Sequence, residues 1–291
     1  MEPKLSIVVT SIERDINDLC NFIKSYLVMD YSKETELLIL FKSLNDNNKE
    51  LIDSIVNGHK NIKLFIMPGF SRCQRKDEGL RKSSAKMVAF VDSDCKIHPD
   101  YVKEIFKISN QKVIRGKNIY VSDTTWLSKN NSIYRTLCDE LFFKDETFTP
   151  NLIIDKNFLQ NAGGWSHDNL DSQDDFILSQ RLKKQYDFEI YHASNAILYC
   201  QNQADAKLKK IIKTWYGYGL GYGFRLWRDP EHNLLYKLKR YTPPIVYTRN
   251  ESLTYMLFSI FQWSVVFTGY IVGILKHNKN KVRDIGHECR D

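Results

Sequence analysis

The chain has 291 residues, 43% hydrophobic and 26% charged, the proportions of an ordinary folded protein with a sizeable core rather than of a disordered or fibrous one. Its formal net charge of +7 is local: residues 1–200 hold 27 Lys/Arg against 28 Asp/Glu, whereas residues 201–250 hold 10 against 3. A near-neutral body with one basic segment argues against wholesale nucleic-acid binding and for a local anionic partner, phosphate or a membrane surface.

The six cysteines, Cys20, Cys73, Cys95, Cys138, Cys200 and Cys289, form no C-x-x-C pair. Reduced thiols in a cytoplasmic setting are therefore expected, not a disulfide framework or a zinc site. No basic-then-apolar leader precedes the first strand-like run.

In chain order, "LSIVVT" (5–10) reads as a buried strand and Asp15 to Met29 as a helix with Leu19, Phe22, Ile23 and Tyr26 on one face. "ELLILF" (36–41) is a second strand, and "DNNKELIDSIV" (46–56) a helix with Asp46 as its expected N-cap. "IKLFIM" (62–67) ends at the turn Pro68-Gly69, and a basic helix from Cys73 to Lys86 leads into "MVAFV" (87–91). Apolar strands alternating with helices indicate βαβ units and a parallel sheet covered on both faces.

Beyond Pro99 a helix (99–109) and the strand "KVIRGKNIYV" precede a polar stretch, 122–131, that shows no period. "NLIID" and "EIYHASNAILYC" read as further strands, separated by a helix from Asp174 to Tyr186. "TWYGYGLGYGFRLWR" (214–228) interleaves four glycines with aromatics and arginines. Ser252 to Leu275 runs without a formal charge.

Asp92 and Asp94 close the apolar run "VAFV". Ligands of parallel sheets bind outside the carboxyl ends of the strands, and side chains at i and i+2 of an extended chain share a side. Two convergent carboxylates call for a cation, and hard oxygen donors suit Mg²⁺ or Mn²⁺ with a substrate diphosphate completing the shell. The plain alternative is a solvated turn after a strand. A second acidic pair, Asp174-Asp175, opens a helix, where the helix dipole alone would favour it. A Gly-Gly-Trp turn (163–165) stands about ten residues before it.

Together, "KDEGLRKSSAKMVAFVDSD" and "NAGGWSHDNLDSQDDFILSQRL" resemble the Asp-x-Asp block and the acceptor block of family-2 glycosyltransferases. The resemblance covers residues 4 to 225. It implies an inverting enzyme of the GT-A fold: a Rossmann-like mixed, mainly parallel α/β sheet with flanking helices, followed here by a hydrophobic helical tail. Residues 1–100 would form the nucleotide-sugar half, 101–225 the acceptor half, and 226–291 a membrane-associating region.

The implied chemistry is Mn²⁺- or Mg²⁺-dependent hexosyl transfer from a UDP- or GDP-sugar. Asp94 and Asp92 would hold the metal, with Thr10, Glu13, Asp46 and Lys76 also on the donor side. Asp175, or Asp174, would be the general base, and Gly163, Gly164 and Trp165 would face the acceptor. Arg225 and Arg228 would touch phosphate or lipid. Three positions depart from the family: Phe41 where an Asp usually reads the base, Lys76-Asp77 for Arg-Asn, and Cys200 or Gln201 where a histidine metal ligand often stands; His192 lies nearby.

"SLTYMLFSIFQWSVVFTGYIVGIL" is long enough to span a bilayer. Lysines and arginines flank it on both sides, so a span, a helix lying at the interface and a helix buried in a homo-oligomer all stay open. Membrane association points to a glycan or polyprenyl-linked acceptor. Two alternatives are a catalytically silent, glycosyltransferase-like assembly subunit and a nucleotidyltransferase; "VVTSIERD" lacks the Gly-rich basic signature expected of the latter.

Overall fold

A computed structural model describes residues 2–108, 110–122, 125–141, 146–165, 174–200, 208–228, 233–235, 238 and 252–275; within 208–228 the side chains of 224, 225, 227 and 228 are also outside the description. Two compact units emerge, one of residues 1–121 and 143–202, the other of 122–142 and 203–291.

The first unit is built on one eight-stranded sheet. Its strands are β1 (Leu5–Ser11), β2 (Thr35–Phe41), β3 (Ile62–Ile66), β4 (Met87–Asp92), β5 (Cys95–Ile97), β6 (Val113–Tyr120), β7 (Leu152–Asp155) and β8 (Tyr191–Cys200), in the order β3-β2-β1-β4-β7-β6-β8-β5. The first four run parallel. β7 enters antiparallel between β4 and β6, β8 lies parallel to β6, and β5 closes the edge antiparallel to β8. The mixed, mainly parallel α/β architecture read from the sequence is the one observed.

The central strands are apolar throughout because helices cover both faces. On one face α1 (Ile16–Val28) buries Leu19, Phe22, Ile23 and Tyr26 in a cluster with Ile7, Val9, Leu37, Ile39 and Val91. On the other, α3 (Arg72–Lys82), α6 (Lys156–Asn161) and α7 (Asp174–Gln185) enclose Val8, Leu40, Phe90, Ile154, Leu159 and Leu182. α4 (Tyr101–Phe106) packs with the first cluster.

Two local expectations are corrected. α2 (Asp46–Val56) is capped by Asn45, whose side chain accepts from the Asn48 amide, and Asp46 is the first helical residue. The basic helix expected from Cys73 to Lys86 runs instead from Arg72 to Lys82: Ser71 and Gln74 form a reciprocal capping box at its start, and Ser83 caps its end.

One buried carboxylate braces the sheet. Glu36 on β2 accepts from Ser6 Oγ at 2.6 Å and from the Ser84 amide, and it pairs with Lys63 at 2.9 Å. Burial opposes its ionisation, but these donors outweigh burial and its pKa is lowered.

The second unit has three described helices: α5 (Trp126–Leu141), α8 (Leu208–Arg228) and α9 (Leu253–Leu275). The stretch read as aperiodic is thus the start of α5. α8 and α9 touch backbone to backbone. A Cβ on Gly219 would meet the Val266 carbonyl oxygen at 2.0 Å, and one on Gly269 the Tyr216 carbonyl at 2.2 Å. Contacts advance together along both helices, Gly219 with Val266 and Gly223 with Tyr270, so the pair runs parallel.

The interior of this unit mixes polar with apolar side chains: Tyr134, Trp215, Phe258, Val266 and Tyr270 are buried beside polar ones. Ser128, Asn131, Arg135, Asp139, Ser259 and Gln262 are buried. Asn131 Oδ1 accepts from Trp215 Nε1 at 2.8 Å and from Gln262 Nε2 at 3.3 Å, linking all three helices. Leu253, Leu257, Ile260, Phe261, Ile271 and Leu275 of α9 are exposed instead.

Two measurements test this account. Gly219→Ala and Gly269→Ala should each raise helix propensity by ~1 kcal/mol yet lower the melting temperature, because overpacking costs about 1–3 kcal/mol. The stability gap between wild type and Glu36→Gln should be present near neutral pH and close as pH falls through the folded-state pKa of Glu36, below 4.5; urea midpoints across that range measure it.

Candidate active site

β1 and β4 end side by side, with Thr10 in register with Asp92. Asp92 is the last residue of β4, and a two-residue turn, Ser93-Asp94, separates it from β5. Both carboxylates are half-buried at the carboxyl edge of the sheet. Glu13 lies in the turn after β1, and its Oε1 accepts from the Asn45 amide at 2.6 Å, which ties that turn to the loop after β2. Phe41 at the end of β2 is fully buried, so its side chain is part of the core rather than of any base-reading surface. Asp46 is exposed.

The second acidic pair is split by its surroundings. Asp174 is engaged by two cations from α3: Arg72 Nη2 donates to Oδ1 at 2.5 Å, and Lys76 Nζ to Oδ2 at 2.6 Å. The Lys76 and Asp174 side chains are 3% and 1% exposed. Lys76 Nζ also sits 4.1 Å from the Trp165 ring centroid. Such a pair, desolvated but fully neutralised, holds α3 and α7 together, and loss of one member strands a buried charge. Asp175 is half-buried; its Oδ1 accepts from the Phe176 amide at 2.9 Å, and Thr147 Oγ1 donates to its carbonyl.

Arg72 connects the two acidic pairs. Burial works against its charge, but Asp174 first, then Asp92 and Asp175, outweigh that effect and raise its pKa. Its Nε is buried without a hydrogen-bond partner among the described residues. One guanidinium therefore stands within electrostatic reach of Asp92, Asp174 and Asp175, residues far apart in sequence.

The Gly-Gly-Trp turn is held from both sides. Gly163 and Gly164 have φ of 89° and 71°, the left-handed region that ends a helix at low cost only for glycine. They terminate α6 with amides bonded to Gln160 and Leu159. The Trp165 amide donates to Asp77 Oδ1 at 2.6 Å, and Arg181 donates to the Gly164 carbonyl. Trp165 is 3% exposed and packs edge-on against Phe90 at 5.0 Å. Its ring is thus a floor beneath Lys76, not an open acceptor face.

The site so far joins Thr10, Glu13, Lys76, Asp92, Asp94, Asp174, Asp175 and the 163–165 turn within the first unit. Arg225 and Arg228 lie in the last turns of α8, with side chains outside the described residues, as are residues 166–173 of the acceptor block and Gln201. His192 sits at the opposite end of β8 from Cys200, and Cys200 faces Cys95. Sequence reasoning missed Arg72 and Arg75, whose Nη1 donates to the Ser11 carbonyl at 2.9 Å. The spacing of Arg72 and Lys76, one helical turn apart, was the available signal.

Asp92 and Asp94 are hard oxygen donors and fit Mg²⁺ or Mn²⁺. Among the described residues no cluster of three or more His, Cys, Asp or Glu side chains could hold a metal. Mg²⁺ at phosphates usually completes its shell with phosphate oxygens and water.

No protein-family profile and no curated protein matches the sequence. Solved structures do. The chain is similar to the crystal structure of S. aureus TarS 1–349, at 15% identity over 99% of this chain and 87% of that one, with a TM-score of 0.57. The same protein in complex with UDP-GlcNAc superposes with a TM-score of 0.53 at 15% identity over the same shares. The mannosyltransferase PcManGT from Pyrobaculum calidifontis, in complex with GDP-Man and Mn²⁺, is similar at 11% identity over 96% of this chain and 77% of that one, TM-score 0.58. At these identities the likeness is one of fold, and the fold is that of the GT-A glycosyltransferases.

Asp174→Ala should destabilise the protein by about 3–5 kcal/mol, since it leaves two cations unpaired in the interior. Lys76→Met should lose less, because Arg72 still neutralises Asp174. Urea denaturation followed by circular dichroism tests the order; equal losses would contradict the shared ion pair.

Proposed function

We propose that the chain is a family-2 glycosyltransferase that moves a hexosyl group from a UDP- or GDP-sugar to an acceptor hydroxyl or lipid phosphate, with inversion at the anomeric carbon. The observation that carries this is the placement of Asp92 and Asp94 at the carboxyl edge of the sheet, where the end of β4 lies beside Thr10 of β1. A donor diphosphate requires cationic and metal-binding groups beside an accessible base, and this edge of the sheet offers all three.

Each residue then has a role. Asp92 and Asp94 would hold Mn²⁺ or Mg²⁺, which when bound offsets negative charge on the departing diphosphate. Arg72 lies close enough to add a fixed positive charge there. Asp174 is committed to Arg72 and Lys76 and orients α7. Asp175, next in the chain and more accessible, is the general base: it accepts the proton of the acceptor oxygen as that oxygen attacks the sugar. With Phe41 buried, the turn carrying Glu13 and Asn45 is the nearest feature for reading the base. The UDP-GlcNAc and GDP-Man seen with the similar structures set the two nucleotides to try first.

The second unit supports a lipid-linked acceptor, a growing glycan or a polyprenyl phosphate, met at a membrane surface on the cytoplasmic side. α9 is 23 residues long and apolar enough to enter a bilayer. Its exposed face is mostly leucine, isoleucine and phenylalanine, and of the three exposed hydroxyls Ser264 Oγ bonds to the Ile260 carbonyl, Thr268 Oγ1 to the Ser264 carbonyl and Thr254 Oγ1 to Ser252 Oγ. Polar groups satisfied within the helix suit a surface without water.

Thermal shift with Mn²⁺ or Mg²⁺ and a panel of nucleoside diphosphates tests the donor site, because a ligand of the native state stabilises it by mass action. Wild type should respond to one nucleotide only when metal is present, and Asp94→Ala should not respond. Asp175→Ala should keep that response and lose transfer activity by roughly 10²–10⁴-fold, the range for a missing general base. No metal-dependent shift in well-folded wild type would favour the silent-subunit reading instead.

A further inference from the structure

β5 is a three-residue strand on the outer edge of the sheet, and its first residue, Cys95, stands directly opposite Cys200, the last residue of β8. The two cysteines lie 105 positions apart in sequence, and their sulfurs are 2.7 Å apart. Unbonded heavy atoms settle at about 3.5–4.0 Å, so two separate thiols would have to move apart. Directly opposed antiparallel residues keep their Cα atoms about 4.5–5.5 Å apart, within the range that a disulfide accepts. The backbone therefore already has the geometry that a cross-strand bond needs.

The place matters more than the bond. Cys95 follows Asp94 immediately, with its sulfur 3.8 Å from Asp94 Oδ1, and only Ser93 and Asp94 separate it from the end of β4. Tension or slack at Cys95 is passed straight to the Asp92–Asp94 turn. Both cysteines are buried, so an oxidant reaches them slowly unless the short edge strand opens.

We propose that Cys95 and Cys200 are a thiol–disulfide pair whose oxidation locks the Asp92–Asp94 turn to β8 and changes the site's affinity for a metal–nucleoside diphosphate. The coupling rests on the donor-site reading above; the cross-link does not. The oxidant is a low-molecular-weight disulfide such as oxidised glutathione. One cysteine thiolate displaces a glutathione thiolate to give a mixed disulfide, and the second displaces the other. One S–S bond forms and one breaks, the cysteines lose two electrons, and their two protons go to the two glutathione thiols released.

Full-length protein is equilibrated with oxidised or reduced glutathione and alkylated with N-ethylmaleimide, and its peptides are mapped without reduction. Binding of Mn²⁺ with UDP or GDP is then titrated for both forms and for Cys200→Ser and Cys95→Ala. The expected result is a Cys95–Cys200 cross-linked peptide after oxidation, a higher melting temperature of that form, and a severalfold difference in nucleotide affinity absent from both variants. Alkylation of both cysteines after oxidation of folded protein overturns the pair. A confirmed cross-link with unchanged affinity overturns the coupling. A confirmed cross-link in a protein that binds no metal–nucleotide in either form removes the donor-site reading, and the coupling with it, but leaves the disulfide standing.

Discussion

Asp174 is a carboxylate buried at the head of a helix, and the contact between α3 and α7 depends on its two partners. A lone ionised carboxylate in that position would carry a desolvation cost of several kcal/mol. Arg72 and Lys76 remove that cost only if α3 lies against α7 with one turn of each in register. The same requirement presses Trp165 over Lys76 and against Phe90, and it brings Asp77 to the Trp165 amide. The ion pair thereby separates the surroundings of two adjacent aspartates: Asp174 is buried between two cations, and Asp175 is half-buried with its Oδ1 on the Phe176 amide.

The second unit buries polar groups among apolar ones. Asn131 accepts hydrogen bonds from two other helices in an interior that also holds Arg135, Asp139 and Gln262, while α9 shows leucines and isoleucines outward. Close glycine contacts between α8 and α9 add backbone packing to these hydrogen bonds.

Much of the sheet was legible in the sequence because its strands obey a simple rule: buried on both faces, they are apolar without alternation. The Asp-x-Asp turn and the acidic helix start could be read from position alone. α5 could not, because its inward residues, Ser128, Asn131, Arg135 and Asp139, are polar and the usual search is for apolar periodicity. Arg72 escaped for a different reason. Its importance lies in contacts across 102 positions to Asp174, which no local pattern encodes. The cap on α2 shifted by one residue because Asn45 and Asp46 are both good caps, and only backbone geometry separates them.

The parallel course of α8 and α9 has a topological consequence. Two neighbouring helices pointing the same way oblige the chain between them to travel back along their length, which for the 21 residues of α8 is roughly 31 Å at ~1.5 Å per residue. Between them in sequence lie Lys237, Lys239, Arg240 and Arg249, each costing about 2.5–3.5 kcal/mol at a bilayer centre. A parallel pair that crossed a membrane would oblige that connector to cross it as well.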